Sequence, residues 1–371
     1  MKFKHLGALL LLSLMLSACG QSGDDSSFFG PDSDDESSSA SDADGDGVSV
    51  EEGDCDDSKP FLHPYDSDGD GAPDGCGWKG LAAGDGFSCG IDSSDAIQCW
   101  GLNNLGQATP PSGSFTRVSA GTHHACAIDS DGAVQCWGAG MTDEGCSAGA
   151  GFECGQSMPP SGTFTDVTTG GLHSCAVGSS GGVQCWGVGT TNNGCADMAD
   201  FERGQAEPPA GVFQEVSAGN WHTCGMDSSD TLHCWGCLVG IPTPENPMAP
   251  PPSGPFIDLS SGALHACGVD SGGQVHCWGS DLFGQIGSPT GTFTQVSAGE
   301  GHNCALDIHG EAHCWGVVEP TPGSYPDYGQ ASPPSATFSQ LAAGAKHTCG
   351  IDSEGLMQCW GWNEFGQVSP P

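Results

Sequence analysis

The chain has 371 residues with 61 Gly, 25 Pro and 36% hydrophobic residues, a composition that suits many short strands joined by turns and excludes an architecture of long helices. Seven Lys and Arg stand against 46 Asp and Glu, a formal charge of −39 that repels nucleic-acid phosphates and anionic membrane surfaces alike. Twenty-one cysteines at repeated spacing, with no Cys-x-x-Cys pairs set out as a zinc site, point to an oxidising compartment.

At the start, Lys2 and Lys4 precede an apolar run from Leu6 to Leu16, which has the form of a secretory leader and is too short to span a membrane. It ends in Leu16-Ser17-Ala18-Cys19-Gly20, which resembles the bacterial lipoprotein signal. That resemblance implies a signal peptide over 1–18 and a mature N-terminus at Cys19, diacylated on sulfur; an ordinary cleavage site with a chance cysteine is the alternative. Several acyl chains anchor stably where one does not. No Asp follows Cys19, so by the familiar rule the chain is expected in the outer membrane or at the cell surface, touching the membrane only through that lipidated residue.

Residues 19–41 are rich in Ser, Asp and Gly with little to bury, and are expected to form a disordered, self-repelling tether. Over 42–77 the spacing becomes strict. Asp42, Asp44 and Asp46 alternate ahead of Glu52 and Asp54, and a second ladder sets Asp66, Asp68 and Asp70 ahead of Asp74. Carboxylates at every second position, with glycines permitting a tight turn, can wrap hard oxygen ligands around calcium. Neither ladder is a complete EF-hand loop, because the twelfth position falls on Gly53 in one and Gly77 in the other. The pattern resembles the Asp repeats of thrombospondin type 3 modules and a metal-binding motif of secreted bacterial proteins, where a cysteine sits among the ladders. A charged linker that only aids solubility is the other reading. Cys55 and Cys76 are expected to bridge, since a segment this polar needs a staple as well as a metal.

From residue 78 one unit repeats seven times: Cys, an apolar stretch, an Asp-Ser-x-Gly-like turn, a second alternating stretch, and Cys-Trp-Gly. This is the signature of a hairpin. First cysteines lie 37 to 49 residues apart, which fits one four-stranded propeller blade. With a three-residue turn, positions i and i+10 face each other across the ladder, near disulfide range. The expected pairs are Cys89 with Cys99, Cys126 with Cys136, Cys175 with Cys185, Cys224 with Cys234, Cys267 with Cys277, Cys304 with Cys314 and Cys349 with Cys359. Cys146 and Cys154 are close enough to close their own loop, which leaves Cys195 for Cys237.

Ala-Gly-x-x-His-x-Cys, the Asp-Ser-x-Gly turn, Cys-Trp-Gly and Gly-Gln together resemble the regulator of chromosome condensation repeat family over nearly 300 residues. The resemblance implies an all-β fold, a seven-bladed β-propeller over 78–371, preceded here by the small, largely irregular calcium-binding module. Where many relatives carry Leu and Ser in the two hairpin strands, this chain has Cys in both. Trp100, Trp137, Trp186, Trp235, Trp278, Trp315 and Trp360 are expected to pack between blades. Stacking on carbohydrate is their alternative use. His124, His173, His222, His265, His302 and His347 precede the first cysteine by two. The family pattern makes them structural, bonding backbone, and Phe87 in the first repeat breaks any ring that could act as a metal funnel. The Gly-x-Phe-x-x-Val strand after Pro-Pro is missing from the end of the seventh repeat, and Gly77–Leu81 matches it. That segment is therefore expected to pair into the last blade and close the ring.

Repeats two and three insert 16 residues between Trp-Gly and Gly-Gln, Ala139–Cys154 and Val188–Arg203, against 4 in repeats one, five and seven. Loop insertions on a rigid scaffold are where binding resides. The expected function is a non-catalytic envelope scaffold, monomeric, that binds an unidentified protein partner through the loops of repeats two to four. A secreted bacterial member of this fold inhibits beta-lactamase, an analogy of fold alone. The family's founding activity, nucleotide exchange on a nuclear GTPase, does not suit an exported acidic chain. The alternative is a propeller enzyme acting on envelope or extracellular polysaccharide; Asp197, Asp200 and Glu202 are unique to one repeat but carry no recognisable catalytic spacing.

Overall fold

A computed structural model describes residues 77–142, 153–191, 203–237, 250–317 and 326–371. Cys19, both Asp ladders, Cys55, Cys76, Cys146 and Cys195 lie outside the described residues, as do Asp197, Asp200 and Glu202. Among the described residues there are 21 strands in seven three-stranded antiparallel sheets. No described helix is long and apolar enough to cross a membrane.

Each sheet is one blade of a seven-bladed propeller. Its middle strand is buried along its length, as in His124–Asp129. The outer strand is buried only in part, as in Val134–Gly138, where Val134 and Trp137 are buried. The hairpin between them forms because a turn Asp holds it. In blade two, Asp129 Oδ1 accepts the backbone N–H groups of Asp131 at 3.0 Å and Ala133 at 2.9 Å, while Oδ2 accepts Gln135 Nε2 at 3.0 Å. Gly132 supplies the left-handed backbone the turn requires, at φ 82°. Cys126 then falls opposite Cys136, and Ile128 opposite Val134.

The inner strands are Gly80–Ala83, Phe115–Ala120, Phe164–Thr169, Phe213–Ala218, Phe256–Ser261, Phe293–Ala298 and Phe338–Ala343. They neighbour one another in a closed circuit, blade seven returning to blade one. Their free edges are not left bare. Val216 N–H donates to Asp166 Oδ2 at 3.0 Å, Leu341 N–H to Gln295 Oε1 at 2.9 Å and Ala343 N–H to Ser297 Oγ at 2.8 Å, each from one blade to the blade before it.

Two expectations need correction. The blades have three strands, not four. The chain turns away after Trp-Gly through a glycine with positive φ, such as Gly138 at 95° or Gly279 at 106°, so that it leaves the sheet before a fourth ladder can form. Nor does Gly77–Leu81 join the last blade's sheet. The strand Gly80–Ala83 is the inner strand of blade one, with Ala82 opposite Cys89. Each Phe-x-x-Val strand pairs forward with the hairpin after it, so blade seven already has its own in Phe338–Ala343.

Closure comes from packing between blades. Seven hydrophobic clusters each straddle two adjacent blades. The one at the seam joins Leu81 and Trp100 of blade one to Cys349, Ile351 and Met357 of blade seven, with Trp78 against it. Trp78 N–H donates to Gly355 O at 2.9 Å.

Candidate functional site: the loop-bearing mouth of the ring

The repeated motif residues build a lock between successive blades. The Gln of Gly-Gln folds its side chain back so that Oε1 accepts a backbone N–H two residues earlier, as Gln107 accepts Leu105 N–H at 2.8 Å. Its carbonyl then faces the next blade. Gln156 O accepts Trp186 Nε1 at 2.8 Å and Ser174 Oγ at 3.0 Å. Having given its proton to Gln156, Ser174 Oγ must accept from His124 Nε2, which lies 2.7 Å away. The histidine is therefore the neutral Nε2–H tautomer. Burial holds it so: the pKa of His124 is pushed down to about 3 by desolvation first and by neighbouring His173 and His123 after that. The lock recurs at His173 with Thr223, His265 with Asn303, His302 with Thr348 and, across the seam, His347 with Ser88. Sequence reasoning gave these histidines backbone partners. They bond side chains of the next blade instead.

Two interfaces depart from the lock. Between blades one and two, Phe87 replaces the His and Ala125 the hydroxyl residue, an apolar pair with both members fully buried. Between blades four and five, His222 faces a blade with Ala266 at that position, and repeat four has no Gly-Gln. Accordingly His222 Nε2 and Trp278 Nε1 are buried with no hydrogen-bond partner among the described residues.

Around the axis the Ala-Gly, Ser-Gly and Thr-Gly dipeptides bring seven glycines together. A Cβ on Gly170 would collide with the carbonyl oxygen of Gly219, and the same holds from each glycine to the next, Gly344 returning to Gly84. Only glycine allows this approach. Backbone bonds sew the circle: Asp85 N–H donates to Gly121 O at 3.3 Å, and Ala345 N–H to Gly84 O at 3.2 Å. The opening they frame has a volume of about 120 Å³ and carries Asp85, Thr122, Asn220 and Glu300. Burial raises the Glu300 pKa, with Lys346 acting against it and Asp85 adding to it. Deeper on the inner strands lie Asp166, Glu215 and Asp258. Burial raises all three, Asp258 to about 6, and Arg117 at 3.2 Å from Asp166 opposes the shift there.

The long loops leave from this face. After each Trp-Gly the chain bonds the turn beside the mouth: Ala139 N–H to His123 O at 3.0 Å, Val188 to Leu172 O at 2.9 Å, Cys237 to Trp221 O at 2.7 Å and Val317 to Gly301 O at 3.1 Å. Next to it stands an aromatic cluster. Trp362 lies 6.0 Å from Tyr328 and 5.1 Å from Phe365 between ring centroids, and Lys346 Nζ sits 5.4 Å over Trp362. Tyr328 and Phe365 remain 40% and 41% exposed. Rigid aromatics beside carboxylates make a surface suited to a partner with apolar and cationic groups.

All seven hairpin disulfides form as the register requires, with Cα atoms 4.0 to 4.1 Å apart. Cys154 and Cys237 are also oxidised, to partners outside the described residues. Every cysteine among the described residues is thus in a disulfide, the state of an exported protein. The aromatic cluster escaped sequence reasoning, although Tyr328 and Phe365 share the position two before Gln; that they converge needs the ring.

Six segments, 78–107, 115–143, 213–237, 256–285, 293–317 and 338–367, match the family described as Regulator of chromosome condensation (RCC1) repeat. They cover every blade but the third. No curated protein matches the chain. Among solved structures, the ectodomain of the receptor kinase CR4 from Physcomitrella patens is 23% identical over 76% of this chain and 73% of its own, with a TM-score of 0.57. The CRINKLY WD40 ectodomain of the receptor kinase ACR4 from Arabidopsis thaliana is 22% identical over 78% and 96%, also at 0.57. Human WBSCR16 is 15% identical over 74% and 86%, at 0.55. These likenesses establish the fold.

Proposed function

We propose that this chain of RCC1-type repeats is a non-catalytic scaffold of the bacterial cell envelope, anchored through acyl chains on Cys19, that binds a protein partner on the mouth face. The observation that carries the reading is the one-sidedness of the ring. The chain leaves for its long insertions beside the mouth, on the face that also bears the Tyr328, Trp362 and Phe365 cluster. The repeated histidines, by contrast, are fully buried between blades, where they serve the scaffold. In both plant receptor kinases the same fold is an ectodomain.

The binding reading is tested by replacing Ala139–Cys154 with the short Leu-Asn-Asn-Leu of repeat one, and separately by Trp362→Ala with Phe365→Ala. Partner capture from envelope extract should fall in both variants while their melting matches the wild type. Undiminished capture by both would remove the mouth face from the account. The anchor is read from the lipoprotein signal: Cys19→Ser should abolish palmitate labelling and partition into detergent, and equal labelling would exclude it. Calcium belongs to the reading through the spacing of Asp42, Asp44, Asp46, Glu52, Asp54, Asp66, Asp68, Asp70 and Asp74. Chelation should open residues 42–77 to protease and spare the propeller; identical digests with and without calcium would leave only a charged linker.

A further inference from the structure

The hairpin turns lie at the other ends of the strands, on the face opposite the mouth. In blades four, five and six the residue six after the turn Asp is His. His233, His276 and His313 place Nε2 at 2.8, 2.8 and 3.1 Å from Oδ2 of Asp227, Asp270 and Asp307. Blade six differs from the other two at the positions between. It reads Asp307-Ile308-His309-Gly310-Glu311-Ala312-His313, where blades four and five carry Thr231 and Gln274 in place of Glu311, and Ser229 and Gly272 in place of His309. One ligand atom each from Asp307, Glu311 and His313 lies within 4.8 Å of the other two.

The local geometry readies these atoms for one ion. Asp307 Oδ1 is occupied by the turn, accepting the backbone N–H groups of His309 at 2.8 Å and Glu311 at 3.0 Å. Its Oδ2 remains turned toward His313. The Glu311 and His313 side chains are exposed, so a small rotation brings them in without disturbing the ladder. Glu311 also borders a surface cleft of about 570 Å³ with Pro333, Pro334 and Thr337, which leaves room for water or another ligand on the open side.

We propose that Asp307, Glu311 and His313 form a binding site for a divalent transition ion of the zinc class, with solvent completing the coordination. Two carboxylate oxygens and an imidazole nitrogen suit zinc at roughly 2.0–2.2 Å. Calcium, which takes six to eight oxygens, is served poorly by three donors of which one is nitrogen. The site is therefore separate in chemistry from the acidic N-terminal ladders.

Zinc is titrated calorimetrically into the full-length protein at pH 7 with calcium in excess, so that oxygen-only sites are already filled. One zinc site is expected, weakened roughly tenfold or more by Glu311→Gln and by His313→Asn. His233→Asn in blade four should leave it unchanged. Because these side chains are exposed, the metal-free variants should melt with the wild type, which separates loss of a ligand from loss of fold. Absence of zinc binding by the wild type, or equal binding by the Glu311→Gln and His313→Asn variants, would overturn the assignment.

Discussion

At the scale of single residues, the ring depends on histidines that must stay neutral. Burial lowers His124, His173, His222 and His302 to about 3, and His265 and His347 to about 4. In the unfolded chain each would take up a proton below about pH 6.5, and in the folded chain it does not. The unfolded state therefore binds more protons in that window. The histidines' contribution to stability is complete above pH 6.5 and falls as pH drops toward 3 to 4, by about 1.4 kcal/mol per pH unit for each. Blade one shows the way out, since Phe87 against Ala125 has nothing to titrate. His124→Phe with Ser174→Ala should flatten the dependence of denaturant stability on pH between 4 and 6 by one histidine's share; an unaltered slope would mean that His124 does not stay neutral in the fold. Ala266→Ser should give the orphaned Nε2 of His222 an acceptor and add about 1 kcal/mol, read as a higher Tm. An unchanged or lower Tm would show that the Ser hydroxyl does not reach it. The sequence displayed the six histidines and the Phe87 exception. It hid their partners, because Ser174 is 50 residues from His124 and meets it only once two blades stand side by side.

At the scale of elements, the hairpins were fully legible. Alternation has a period of two, so one turn length fixes every cross-strand pair, and the seven disulfides follow from it. The inner strands were assigned to the wrong neighbour. The Pro-containing segment ahead of the inner strands looked internal to a blade, yet it marks the break between blades, and the strand after it pairs with the hairpin that follows. The C-terminal Gly-Gln turn adds two further hydrogen bonds across the seam. Gln367 O accepts Trp100 Nε1 at 2.8 Å and Ser88 Oγ at 3.1 Å in blade one. Ending the chain before Gly366 leaves both donors buried and unpaired, a loss of about 2–6 kcal/mol, whereas ending it after Gln367 should cost far less. Equal denaturation midpoints for the two truncations would show that the bonds to Gln367 O do not hold the seam.

At the scale of the whole molecule, a chain of formal charge −39 carries a rigid ring whose two faces differ. One carries the mouth, the roots of the long loops and the aromatic cluster; the other carries the Asp-held turns. Such a field speeds association with cationic surfaces and weakens with salt. The propeller was legible from period and spacing, but which face gathers the loop roots and the aromatic cluster was not, because strand direction decides it and no local motif records that. The most direct measurement places a photo-crosslinking residue at Phe365 on the mouth face or at Ile308 on the opposite face, both exposed, in cells that make the full-length protein. A scaffold that binds through its mouth predicts a discrete crosslinked species from position 365 and none from 308. The same species from 308 alone, or equally from both, would contradict it.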